Sequence, residues 1–173
     1  MIMDYSKSDV LTGEVQAQLG DDFDIDLAIG VENIKGGDQE YLQSVCMEGI
    51  DPEFRSRVKP GDFIVGGRNF GYGHPHYPAM ATLRSLGIRA ILAESFSPGF
   101  WRGETHNGFP LISIPGISQA VTLGDEIRLN WVKSEVLIAR TGRELRGEPL
   151  SPHTVDVIRA GGAFNLISKQ FVD

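Results

Sequence analysis

The stretch Gly66-Gly67-Arg68-Asn69-Phe70-Gly71-Tyr72-Gly73-His74-Pro75-His76-Tyr77 constrains the fold of this chain more than any other. An apolar run, Asp62-Phe63-Ile64-Val65, leads into it, and a helix-forming segment, Pro78 to Leu86, leads out. Gly87 then stands where a helix ends in a left-handed residue. A second apolar run, Ile88 to Ala93, follows at once. The order is strand, loop, helix, strand, and a crossover containing a helix joins parallel strands.

Gly71 and Gly73 let the backbone turn tightly and approach whatever sits above the helix start. Free N–H groups and the helix dipole favour an anion at such a place. Pro75 and Pro78 have no N–H to give, and the Lys-Ser/Thr pair of a Walker loop is missing, which disfavours a nucleotide. The loop supplies side chains instead: His74, His76 and Tyr77 crowd the mouth of the helix.

A length of 173 residues suits one domain with a substantial core, so residues 1–173 are read as a single domain. The formal charge of −7, with no basic run, argues against a nucleic-acid binder and for small molecules or protein surfaces as partners. Residues 1–7 lack the apolar core of a signal peptide, and no later run has the length of a membrane span; the expectation is a soluble cytoplasmic protein. Cys46 is the one cysteine. It excludes an internal disulfide and a cysteine-ligated cluster built from this chain alone, and its helical apolar setting, Tyr41 to Met47, reads as that of a buried structural thiol.

Along the chain, Gly13–Gln18 and Leu27–Ile29 read as short strands around an acidic turn, Asp21-Asp22-Phe23-Asp24-Ile25-Asp26. The turn lacks the glycine and glutamate of a calcium loop and reads as solvated. Asp38 is a plausible N-cap for a helix through Met47, and Asp51-Pro52-Glu53-Phe54 begins a shorter one. Ser95 to Asn107 reads as irregular or loosely helical. Phe109–Ile114, Asp125–Leu129 and Val132–Ala139 read as strands, with Thr141-Gly142-Arg143-Glu144 as a turn. Ser151 caps a last helix with Pro152 in its first position, ended by Gly161-Gly162. Alternating β and α elements predict a compact α/β domain with a mixed sheet.

Several stretches, in this order and spacing, resemble the aconitase superfamily, in particular the 3-isopropylmalate dehydratase small subunits. They are Asp24-Ile25-Asp26, Cys46-Met47-Glu48 with Asp51-Pro52-Glu53-Phe54, Val58-Lys59-Pro60-Gly61-Asp62, Asn69-Phe70-Gly71, Ser95-Phe96, Gly108-Phe109-Pro110 and Gly161-Gly162. The resemblance implies a swivelling β/β/α domain that packs over a separate large subunit. It implies too that the [4Fe–4S] cluster is held by that partner and not by this chain, and that the substrate is a small hydroxy carboxylic acid. The implied activity is that of a hydro-lyase, with the cluster as Lewis acid and the small subunit supplying a base and a carboxylate clamp. A catalytically silent ligand-binding or regulatory subunit of the same fold is the alternative.

The departure is in the loop. Where the family reads Gly-Ser-Ser-Arg-Glu-His-Ala, this chain reads Gly73-His74-Pro75-His76-Tyr77-Pro78-Ala79. By position, His74 replaces the serine base and His76 the arginine clamp, with Tyr77 beside them. An imidazole with a reference pKa of about 6.5 is a reasonable base. The pair could also merely fill the loop, or bind a metal with His106 or an acidic residue as third ligand. Arg68 and Arg102 are the cations available to replace the lost clamp, or to form ion pairs, and Lys35 lies in the stretch matching the family's specificity loop. Asn69, Gly71 and Gly73 complete the expected substrate-binding set.

Overall fold

The structure, a computed structural model, describes residues 4–169. The reading of the first seven residues therefore falls partly outside the described residues, at positions 1–3. In chain order the elements are β1 (Val10–Leu19), α1 (Gln39–Val45), α2 (Phe54–Arg57), β2 (Phe63–Gly66), α3 (Tyr77–Ser85), β3 (Ala90–Ala93), α4 (Pro98–His106) and β4 (Leu111–Ser113). Then follow α5 (Ile117–Ala120), β5 (Glu126–Asn130), β6 (Glu135–Ile138), β7 (Arg143–Arg146), α6 (Pro152–Arg159) and α7 (Ala163–Ser168).

The strands form one seven-stranded sheet in the order β4-β3-β2-β1-β5-β6-β7. Four are parallel, β1 to β4, and the remainder run antiparallel from β1 outward. β1 joins the halves: Val10–Glu14 pair with β5, and the segment from Val15 to Leu19 pairs with β2, with a register shift between Val15 and Ala17. Every residue of β2 and β3 is buried, as strands covered on both faces require. Their alternate side chains divide between two cores. Ile64 and Ile91 join Met80, Leu83 and Phe100 on one face, while Phe63, Val65 and Leu92 join Trp131 and Ile158 on the other. An α/β domain with a mixed sheet and flanking helices, the class expected, is what forms.

The expected caps are in place. The Asp38 carboxylate accepts from Glu40 N at 3.0 Å, the Ser151 hydroxyl from Thr154 N at 3.2 Å, and Gly87 takes φ +93° after α3. Three expectations change. Leu27–Ile29 is not a strand: Ile25–Ala28 form a single 3₁₀ turn, because the Asp24 side chain caps it by accepting from Asp26 N. Residues 98–106 form a continuous helix, since Pro98 needs no donor in a first turn and a Cβ on Gly99 or Gly103 would meet nothing within 4 Å. The expected turn at 141–144 forms in its first half, with Gly142 N donating to the Ile138 carbonyl, and from Arg143 it gives way to edge strand β7, whose polar sequence Arg-Glu-Leu-Arg suits an exposed edge. Helices α5 and α7 carry no signal noted in the sequence. No helix among the described residues is long and apolar enough to cross a membrane.

Candidate active site

Because β1 to β4 are parallel, their C-terminal ends open on one edge of the sheet, where ligands bind in open α/β folds. The loop from Gly67 to His76 rises from the end of β2 on this edge. The acidic segment after β1 runs along one side of it and is stitched to it. Arg68 N donates to Asp21 Oδ1 at 2.7 Å, Asn69 Nδ2 to Asp22 Oδ1 at 2.7 Å, Gly71 N to the Phe23 carbonyl at 2.9 Å, and His76 N to Asp26 Oδ1 at 2.9 Å. The expectation of a solvated turn holds in part: Asp21 and Asp22 are exposed, yet they and the buried Asp26 satisfy loop donors, and Asp24 caps the 3₁₀ turn.

The segment after β3 holds the other side of the loop. Asn69 N donates to Ser95 Oγ at 2.9 Å, and Phe70 and Phe96 make an isolated parallel bridge. Asn69 takes φ +52°, a value its short polar side chain tolerates. Gly71 is required where it stands, with φ +81° and the Phe100 ring against its α-carbon, so that a Cβ would fall 2.1 Å from Cδ1 of that ring. Behind the loop Glu94 accepts from Gly116 N, Ser118 N and Ser118 Oγ at 2.7, 2.9 and 2.6 Å. Burial alone would raise this carboxyl, but the Ser118 hydroxyl and the two N–H groups outweigh it and hold the pKa below the usual range.

Two residues the sequence separates meet at the loop's exit. His76 Nδ1 lies 2.6 Å from Oδ2 of Asp26, a residue only 4% exposed. His74 is exposed and has no hydrogen bond or ion pair among the described residues. Tyr72 and Tyr77 are 56% and 75% exposed on the same rim. Lys35 is exposed in a loop that reaches this rim, with a Cβ on Gly36 falling 3.7 Å from the Pro78 ring. Arg68 is exposed, and its positive charge helps to lower the Glu94 carboxyl. Arg102 stands apart from the histidines: with Ser95, Phe96 and Trp101 it lines a hollow of about 960 Å³ between α4 and the chain before α6. Of the candidates, Arg68, Asn69, Gly71, Gly73, His74, His76 and Tyr77 share one loop, Lys35 adjoins it, and Arg102 belongs to the neighbouring hollow.

Asp26 is the residue that the sequence reading missed as part of the site. Its signal was the Asp24-Ile25-Asp26 spacing, in which the first aspartate caps a turn and the second is carried inward.

An iron–sulfur cluster does not fit the residues of this chain. Cys46 is 1% exposed, and burial pushes its thiol up to about 12, far from the thiolate that ligation needs. Among the described residues no group of three or more His, Cys, Asp or Glu could hold a metal ion, so the histidine pair finds no third ligand in His106.

The sequence and the fold have counterparts among known proteins. Residues 23–114, from the acidic segment to the end of β4, match the aconitase C-terminal domain family, and the chain belongs to that family. It is 35% identical over 156 residues to the isopropylmalate/citramalate isomerase small subunit of Methanocaldococcus jannaschii, covering 90% of this chain and 93% of the relative. It is 36% identical over 162 residues to 3-isopropylmalate dehydratase small subunit 1 of Methanopyrus kandleri, covering 94% and 95%. The crystal structure of the 3-isopropylmalate dehydratase from Methanocaldococcus jannaschii matches with a TM-score of 0.82 at 30% identity, over 94% of this chain and 96% of that one.

Proposed function

We propose that this chain, a hydro-lyase small subunit of the aconitase family, acts as one unit that completes a dehydratase active site over a large subunit. The pair removes and re-adds water across adjacent carbons of a small hydroxy carboxylic acid. The observation that carries this reading is the openness of the histidine loop. His74, His76 and Tyr77 are displayed at the sheet edge with exposed tyrosines on the rim, an arrangement that suits enclosure by a second surface. A [4Fe–4S] cluster held by the large subunit supplies Lewis-acid polarisation of the substrate. From this chain, Arg68, Lys35 and His74 offer positive charge or donors to the substrate carboxylates, with Arg102 on the flank. Asn69, Gly71 and Gly73 keep the loop backbone in reach, and His76 and Tyr77 stand nearest the helix mouth.

Replacement of the family's Ser-Ser-Arg by His74-Pro75-His76 removes the bidentate fork that grips a carboxylate, so the acid accepted differs from isopropylmalate. The test is co-expression with a three-cysteine large subunit of the aconitase family, followed by a screen of small hydroxy acids for the ultraviolet absorbance of a new double bond. Turnover of one such acid is expected. A cluster-loaded complex that turns over none would leave the catalytically silent binding subunit as the better reading.

A further inference from the structure

The geometry points to His76, oriented by Asp26, as the group that takes the substrate proton, reversing the roles that loop position alone suggests for the two histidines. This rests on the dehydratase reading. Asp26 gives both carboxylate oxygens to the same residue: Oδ1 accepts the His76 backbone N–H at 2.9 Å and Oδ2 faces Nδ1 at 2.6 Å. An ionised carboxylate can only accept, so Nδ1 carries the ring proton, and Nε2 is left with its lone pair. The His76 side chain is 46% exposed although the carboxylate beneath it is 6% exposed, and Nδ1 is the ring nitrogen turned to that carboxylate.

The direction of that lone pair is fixed, because backbone and ring are held by one carboxylate whose own turn is capped by Asp24. A base positioned by a third group in this way is the arrangement that general-base chemistry uses. The same geometry serves a carboxylate clamp badly. A neutral ring presents a lone pair to the substrate anion, and a protonated ring already has its charge offset by Asp26. His74, open and without a hydrogen-bond or ion-pair partner among the described residues, takes the clamp's place.

In the step that follows, the C–H bond beside the substrate carboxylate breaks and its proton moves to Nε2. The C–H electron pair becomes the second bond of the alkene as the hydroxyl leaves the neighbouring carbon with the C–O pair. His76 then returns its proton to solvent, and the sum is alkene plus water.

Two measurements test this. Nitrogen-15 NMR of the full chain, with its histidines labelled, reads the neutral tautomer directly. An Nδ1–H tautomer is expected for His76, and an Nε2–H tautomer would overturn the assignment. In the assembled complex, Asp26→Asn offers an amide N–H to Nδ1 and forces the proton onto Nε2. It is expected to lower kcat by about 10²-fold to 10⁴-fold with KM nearly unchanged, and to show the switched tautomer in an otherwise native spectrum. His76→Ala is expected to lower kcat by about 10²-fold or more, and His74→Ala to act mainly through KM. A wild-type complex that turns over while His76→Ala keeps kcat within about twofold would overturn the base role and leave the dehydratase reading intact. A cluster-loaded wild-type complex without turnover would overturn the dehydratase reading itself, and the base role with it.

Discussion

Asp26 and His76, fifty residues apart in sequence, are joined twice, through the histidine's ring nitrogen at 2.6 Å and its backbone N–H at 2.9 Å. The second bond makes Asp26 structural as well as chemical, since it satisfies a donor just before α3 where His76 has no side-chain cap of its own. Asp26→Ala leaves that N–H without its partner and opens a space under the loop. The expected cost is about 1–3 kcal/mol of stability, read as a lower urea midpoint at unchanged slope. An unchanged midpoint would show that the loop holds its shape without this carboxylate.

Gly71 and Gly73 both have positive φ, +81° and +93°, but their surroundings differ. A Cβ on Gly71 would sit 2.1 Å from the Phe100 ring, which is locked against Phe70 and Phe96, whereas on Gly73 its nearest neighbour would be Asp24 Oδ2 at 3.2 Å. Gly71→Ala therefore adds overpacking of about 1–3 kcal/mol to the left-handed strain of about 1 kcal/mol that both substitutions share. Thermal melts of the two variants are expected to rank Gly71→Ala well below Gly73→Ala. Equal losses would mean that backbone strain alone governs this loop.

The parallel half-sheet and its caps were legible because they rest on local rules: continuous apolar runs at β2 and β3, Asp38 and Ser151 at helix starts, Gly87 at a helix end. The loop was legible for the same reason. What escaped was non-local. Asp21, Asp22 and Asp26 look like solvent-facing charge in a short window, and only pairing of the parallel strands β1 and β2 brings them against the loop that needs their oxygens. Strand β7 escaped because an edge strand borrows its order from β6 and needs no apolar pattern of its own. The contact between His76 and Asp26 escaped as another non-local pairing, since loop position says nothing of which ring has a carboxylate behind it.

Asp125, the residue before β5, pairs with Arg140, which follows β6. Its carboxylate accepts from Arg140 Nε and Nη2 at 2.6 and 2.9 Å and from Thr122 N at 2.8 Å, and the Arg140 guanidinium, with help from Thr122, holds it below the usual carboxylate range despite burial. A folded pKa below the unfolded value of about 3.9 gives stability that is present above that value and lost as pH falls through the folded one. Arg140→Ala is expected to lower stability at pH 7 only modestly, because the arginine is half exposed and solvent screens the pair. The variant and the wild type are expected to converge once pH falls below the folded pKa, where the carboxyl is protonated in both. Denaturant titrations across that range check the convergence; a constant difference at all pH values would assign the loss to packing.

Cys46 decides where iron can be held. Its thiol is buried after α1, and burial raises it to about 12, so at pH 8 almost none is thiolate and access is closed as well. The native chain is expected to leave a thiol-labelling reagent unreacted over hours at pH 8, and to react with one equivalent once unfolded in urea. Reconstitution of the isolated chain with iron and sulfide is expected to give a colourless, iron-free protein. Cys46→Ala, which removes only a sulfur from the core, is expected to cost about 1–2 kcal/mol and to leave the iron content of the assembled complex unchanged. These outcomes separate a structural thiol from a ligand, because a ligand would label slowly only while iron is bound and its loss would empty the site. Iron bound by the isolated chain and abolished by Cys46→Ala would place the metal in this subunit and reverse the division of labour with the large one.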